Sequence, residues 1–245
     1  MFAIYKRELR SYFTSPIGYV FIATYLALSG FVFAYSTVLM SIEGNSADVS
    51  LYFTILIYSF SLLLPLLTMR SFADDRRMKT EQLLLTSPVS IFGMVSAKFL
   101  AAYTIFAGTY AVSCLDFALL YIYNDTSGVV VEKNGAILVG YSIAVLLLGA
   151  AFIAIGIFVS SLTKHQITAA IATIAILLFC LCCNMINSAI SFYPIRALCN
   201  WLSIYSRFQN FAFGVFDFNA IIYYFSITVV FLFVTVRIYE KRRWE

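Results

Sequence analysis

Six stretches of this chain are long, apolar and almost free of charge: Ile17–Met40, Leu51–Met69, Phe99–Tyr123, Ile137–Ser160, Ile167–Ile190 and Phe218–Val236. The one formal charge inside any of them is Asp116. Crossing the hydrocarbon of a bilayer takes roughly 20 helical residues. There, every backbone N–H and C=O must find its partner within the protein, so helices or closed barrels are the available solutions. The pattern predicts an all-α integral membrane fold with six transmembrane helices. Charged residues make up 11% of the chain, against about 25% in a soluble domain. No stretch reads as a separate soluble domain and no internal repeat is visible, so residues 1–245 are expected to form a single transmembrane domain.

The cations set the expected orientation. Lys6, Arg7 and Arg10 precede the first span, and Arg70, Arg76, Arg77, Lys79 and Lys98 lie between the second and third. Lys164 joins the fourth to the fifth, and Arg237, Lys241, Arg242 and Arg243 follow the sixth. Only Lys133, Arg196 and Arg207 fall on the other side. The positive-inside rule then places both termini in the cytoplasm. Because the basic residues flank spans instead of forming a patch, the net charge of +4 points to topology and not to nucleic acid. The apolar run after Ile17 is too long for a signal-peptide core of about 7–15 residues, so a retained first span is expected.

Four segments do not follow from membrane crossing. At the N-terminus, helical spacing puts Phe2, Tyr5, Leu9, Tyr12 and Phe13 on one face and Lys6, Arg7 and Arg10 on the other, as in a helix lying along the membrane interface over 1–16. Pro16 ends it, since the residue before a proline avoids helical geometry; a solvated basic flank is the simpler alternative. The second segment, 70–98, carries both signs of charge from Arg70 to Glu81, then Leu83, Leu84 and Leu85 and the stop at Pro88. It reads as a short cytoplasmic helix with one side for a soluble partner, or else as a tidy intracellular loop. The third, 191–217, holds Pro194, Arg196, Trp201, Arg207, Phe211, Gly214 and Asp217 among many aromatics. Its apolar pieces are too short to cross and suit an outer re-entrant hairpin, with a loose aromatic loop as the alternative. The fourth, Arg237 to Glu245, reads as an anchor with no chemistry attached.

Catalytic constellations are missing from the sequence. There is no G-x-x-x-x-G-K-[ST] phosphate loop, and no H-E-x-x-H or G-x-S-x-G. The single histidine, His165, sits beside Lys164 in a short turn. Cys180 and Cys183 have a C-x-x-C spacing, but no acid or histidine accompanies them in mid-span, so neither a metal site nor a disulfide framework is expected from the five cysteines. Asn124-Asp125-Thr126 is a glycosylation sequon that chance explains. Asp116 is a candidate transport-path acid, because ionisable groups in spans are costly and tend to be functional; reaching water or pairing with Arg196 or Arg207 would explain it equally.

Three passages resemble the ABC-2-type permeases, and within them the gliding-motility-associated group. They are Tyr5–Tyr19, Met69–Ala73 continuing through Thr80–Val89 to Lys98, and Arg207–Phe211 with Gly214 and Asp217. The resemblance implies a permease subunit of an ATP-driven exporter in a bacterial inner membrane. Two such chains, identical or homologous, would assemble with two ABC ATPase subunits. It implies that Glu81, Gln82 and Leu83 sit in a groove of the ATPase with Arg76 and Arg77 flanking, and that ATP and Mg are held by the ATPase, with no cofactor or catalytic residue on this chain. Three other classes stay open: a self-contained secondary transporter or channel, an intramembrane enzyme, and a membrane scaffold of a motility or secretion apparatus. Nearly uncharged spans count against the first, and the second lacks a nucleophile–base pair. The substrate is not readable from walls of Phe, Tyr, Leu and Ile.

Overall fold

The computed structural model describes residues 2–39, 49–82, 90–127, 135–189, 203–209, 211 and 217–244, and the side chains within them other than those of 37–39, 49, 118–127, 135–136, 184–189 and 244. Every regular element in it is helical. Helix α1 spans Phe2–Thr14. Ser15, extended ahead of Pro16 (φ −101°, ψ 151°), separates it from α2, Pro16–Phe33, which continues in π-helical turns over Ala34–Leu39. Then come α3 (Val49–Thr68), α4 (Arg70–Arg77), α5 (Ile91–Ser127), α6 (Gly135–Leu162), α7 (Gln166–Ala189), α8 (Ile204–Gln209) and α9 (Phe218–Trp244). Six stretches are long and apolar enough to cross a membrane: Pro16–Ser36, Ser50–Arg77, Ile91–Phe117, Ile137–Leu162, Gln166–Cys183 and Phe218–Arg243. They match the six expected spans one for one, and by length and composition make the chain a multi-pass membrane protein.

Helix ends follow local chemistry. Ser90 Oγ accepts from Gly93 N (3.2 Å) at the start of α5, and Asp217 Oδ1 accepts from Asn219 N (3.0 Å) at the start of α9, so each caps otherwise orphaned N–H groups. The junction between α3 and α4 is different. Met69 keeps helical angles (φ −57°, ψ −30°) and its N–H reaches Pro65 O at 2.9 Å. The charged helix is thus a direct extension of the second span, where the sequence suggested a short helix within a cytoplasmic connection starting at Arg70. It stops at a Schellman motif, with Lys79 at φ 57°, Thr80 N on Asp75 O and Lys79 N on Arg76 O.

Helix α6 is the centre of the bundle, packing on α3, α4, α5, α7 and α9. Within its apolar window 67% of residues are buried, against 22% for α9. Between helices in lipid, packing contributes most of the association, and small residues allow close approach. Gly156 lies where a Cβ would run into Thr68 of α3, and Gly149 where one would run into the Phe106 ring of α5. Aromatic rings fill the remaining space: Phe53 stacks on Tyr141 (4.4 Å) and Tyr25 on Phe60 (5.7 Å). Two of the phenols admitted to this interior find hydroxyl partners, Tyr25 with Ser113 Oγ (3.1 Å) and Tyr52 with Ser29 Oγ (2.9 Å).

Candidate functional site

Charges that the sequence scatters from Arg7 to Arg242 converge at one end of the bundle, around α4. This short helix buries Ser71, Phe72, Ala73 and Asp74. The Phe72 ring meets Tyr239 of α9 at 4.6 Å. Ser160 Oγ of α6 accepts from Phe72 N and Ala73 N, both at 3.2 Å, and donates to Met69 O at 3.1 Å. One donor and two acceptor positions are all a hydroxyl has, so a single serine saturates itself bracketing the α3–α4 junction. Tyr12 of α1 donates to Leu67 O on the same junction (3.0 Å), and burial pushes its phenol up to about 12.

Lys98 of α5 lies behind α4, 2% exposed. Its ammonium meets Glu8 Oε1 of α1 at 3.1 Å, donates to Ser71 O, and stands 5.0 Å from the centre of the Phe72 ring. It also approaches Asp75 Oδ2 at 2.7 Å, off the hydrogen-bonding direction, so charge more than a directed bond holds that pair. A buried ammonium requires such compensation. Burial alone would push the Glu8 carboxyl up, but Lys98 and Arg7 (2.8 Å) together outweigh it and hold the group below its ordinary value.

The other face of α4 carries a second network. Asp74 pairs with Arg70 (3.1 Å) and Arg77 (3.5 Å) and accepts from the Gln166 amide of α7. Glu81 receives Arg76 Nε on one oxygen (3.2 Å) and Arg242 of α9 on the other (3.1 Å). Both arginines also donate to the last carbonyls of α6: Arg76 to Leu162 O (3.2 Å) and Thr163 O (3.4 Å), Arg242 to Ser161 O (2.9 Å). Those carbonyls have no partner within their own helix, and cations there also complement its dipole. The two networks fasten α1, α5, α6, α7 and α9 to one short helix.

Of the residues singled out from the sequence, Arg76 pairs with Glu81 and Arg77 with Asp74, and the Glu81 carboxylate is engaged within the chain. Gln82 is exposed beside it, and Leu83 lies outside the described residues. Lys6, Arg7 and Arg10 are exposed on α1. The apolar face expected of that helix is divided: Tyr5, Leu9 and Tyr12 pack inward with Glu8, while Phe2 and Phe13 stay exposed, because the Glu8–Lys98 pair fixes the rotation of the helix. Asp116 sits on α5 just before Phe117, whose ring joins those of Phe33, Tyr52 and Phe53. Arg207 of α8 lies over the Tyr223 ring at 3.6 Å. Of the expected re-entrant segment the structure describes 203–209, 211 and 217. Tyr205 contacts Thr54 (3.3 Å), Phe208 stacks near Tyr141 (5.3 Å), and Phe211 is buried with its carbonyl against Gly140. Gly214, Arg196 and Trp201 lie outside the described residues, as does Lys133.

Sequence reasoning missed Glu8, Lys98, Asp74, Ser160 and Arg242. Lys98 did leave a signal: Ala101, Ala102 and Ile105 follow it at helical spacing, so it stands on an apolar, buried face. Among the described residues no group of three or more His, Cys, Asp or Glu side chains could hold a metal ion. Compared with models of known protein families the chain matches none, and no curated protein matches it either.

Proposed function

We propose that this chain is the membrane-spanning permease subunit of an ATP-driven exporter of the ABC-2 type, moving a substrate with ATP hydrolysed by a separate ATPase chain. The observation that supports this reading is the position of α4. It extends the second span without a break and is bonded through side chains to α1, α5, α6, α7 and α9. A force applied there by a soluble engine would reach the whole bundle, because packed elements move as units and do not deform continuously. In this reading the charged end faces the cytoplasm of a bacterial cell, both termini lie on that side, and α4 with residues 78–83 receives the ATPase. Two permease chains and two ATPase chains would make the complete translocase.

The test is extraction of the tagged chain from its native cells into lipid nanodiscs, followed by mass spectrometry of whatever copurifies. The expected result is a soluble ATPase whose sequence carries a phosphate loop, and whose hydrolysis rate changes when the chain is present. Recovery of the chain alone would refute the reading. A self-contained carrier or channel would then take its place, with Asp116→Asn the first variant to examine.

A further inference from the structure

The interior of the first three spans holds more hydroxyl protons than it binds. Tyr25 and Ser29 of α2, Tyr52 of α3 and Ser113 of α5 are each at most 2% exposed. They form two pairs, Tyr25 with Ser113 and Ser29 with Tyr52. Ser113 spends its proton on Tyr110 O at 2.8 Å, so Tyr25 donates to Ser113 Oγ. In the other pair either member can donate, and the proton of its companion then finds no acceptor among the described residues. Four hydroxyls thus bring four protons to three hydrogen bonds. Bulk water cannot correct this within the hydrocarbon of a bilayer, and a buried hydroxyl proton without an acceptor is costly there.

A cavity of about 10 Å³ lies between α2 and α3 beside this cluster, the room of a single water molecule. Leucine and valine side chains wall it, apart from Tyr25, Ser29 and Ser59. Ser59 donates to Ile55 O of its own helix (3.0 Å), which leaves its oxygen able to accept. The Tyr25 oxygen, donating to Ser113, keeps an accepting position as well.

We propose that this cavity is a binding site for one water molecule, held by Ser29, Ser59 and Tyr25 inside the membrane-spanning bundle. With Tyr52 donating to Ser29, the Ser29 proton goes to the water oxygen. The two protons of the water go to Ser59 Oγ and Tyr25 Oη. Every hydroxyl proton of the cluster then has an acceptor, and the water makes three hydrogen bonds, the usual number for a buried one. A cavity lined by hydrocarbon alone stays dry; the surplus proton is what distinguishes this one. The water joins α2 to α3 within the spans Pro16–Ser36 and Ser50–Arg77. The site does not depend on the permease reading.

The experiment is solid-state NMR of the isotope-labelled chain in lipid bilayers, with magnetisation passed over short times from water protons, and separately from acyl-chain protons, to carbon. The expected result is early signal from water at Ser29 Cβ and Ser59 Cβ, ahead of Leu56, which lines the same cavity without a polar side-chain atom. Two variants add a second reading: Ser59→Ala leaves the cavity open, and Ser59→Val fills it with hydrocarbon. The Ser29 signal should survive in the first and vanish in the second. The unfolding midpoint of Ser59→Val should lie below that of Ser59→Ala by about 2–4 °C. Signals at Ser29 and Ser59 no earlier than at Leu56 overturn the site. Transfer to them from acyl chains in place of water overturns it in favour of a crevice for a lipid tail. A midpoint higher in Ser59→Val than in Ser59→Ala also overturns it, since a dry cavity gains from being filled. The transfer measurement uses the unaltered chain, so it decides the question even where a variant fails to fold.

Discussion

Replacing Lys98 with methionine removes the cation on which two acids depend. In the folded chain the Lys98 ammonium is 2% exposed and meets Glu8, Asp75 and the Ser71 carbonyl. Deleting one member of a buried ion pair costs about 3–5 kcal/mol, mostly through the charge left behind. Here Glu8 keeps Arg7 and the two acids are 15% and 16% exposed, so part of the penalty is relieved and the lower end, about 3 kcal/mol, is expected. At roughly 2–4 °C per kcal/mol for a chain of this size, the unfolding midpoint should fall by ~6–12 °C at pH 7. Glu8→Gln should cost only about 1–2 kcal/mol, because Lys98 keeps Asp75 and Ser71 O.

The pH dependence separates charge from packing. In the unaltered chain the Glu8 carboxyl is held below its ordinary value, so its contribution is present above that value and is lost as pH falls through the depressed one. Without Lys98 the burial that raises the carboxyl is opposed by Arg7 alone, so its value rises from the depressed one. Protonation then relieves the variant at a higher pH than the unaltered chain, and its deficit narrows as pH falls from 7 into the acid range. Thermal unfolding of both proteins in the same detergent, followed by intrinsic fluorescence, reads this directly. A deficit below about 1 kcal/mol at pH 7, or one that does not change with pH, would refute the compensated-cation account.

Ser160→Ala strips the bracket from Phe72 N, Ala73 N and Met69 O; a loss of about 1–3 kcal/mol is expected, with faster hydrogen exchange confined to residues 69–77 and slow exchange there counting against it. Lys79→Gly should stabilise by about 1 kcal/mol, since Lys79 holds φ 57° in a position that glycine fills without strain; an unchanged or lowered midpoint would show that the side chain contributes more than the strain costs. Gly156→Leu places a side chain where even a Cβ strikes Thr68, so overpacking should cost about 1–3 kcal/mol and raise the distance between spin labels on α3 and α6; an unaltered distance with full stability would contradict the close packing.

Local chemistry made part of this molecule readable in one dimension. The six spans follow from stretches that no soluble fold could use, and the break at Ser15-Pro16 from the geometry proline imposes. The crowding of both charge signs between Arg70 and Glu81 marked a segment that membrane crossing alone does not explain. The sequence could not say which charge pairs with which. Glu8 and Lys98 are 90 residues apart, Glu81 and Arg242 are 161 apart, and Phe72 and Ser160 are 88 apart. Each pairing exists because helices cross at a particular rotation and depth. Glycines at 149 and 156 set that packing, and no pattern along a single helix encodes it. Lys98 looks like one more loop cation until α1 and α4 close over it, and Arg242 like a terminal anchor until Glu81 arrives from the second span. Hydrophobic length is a property of a segment and is legible in it; electrostatic compensation is a property of neighbours, and only the tertiary structure chooses neighbours.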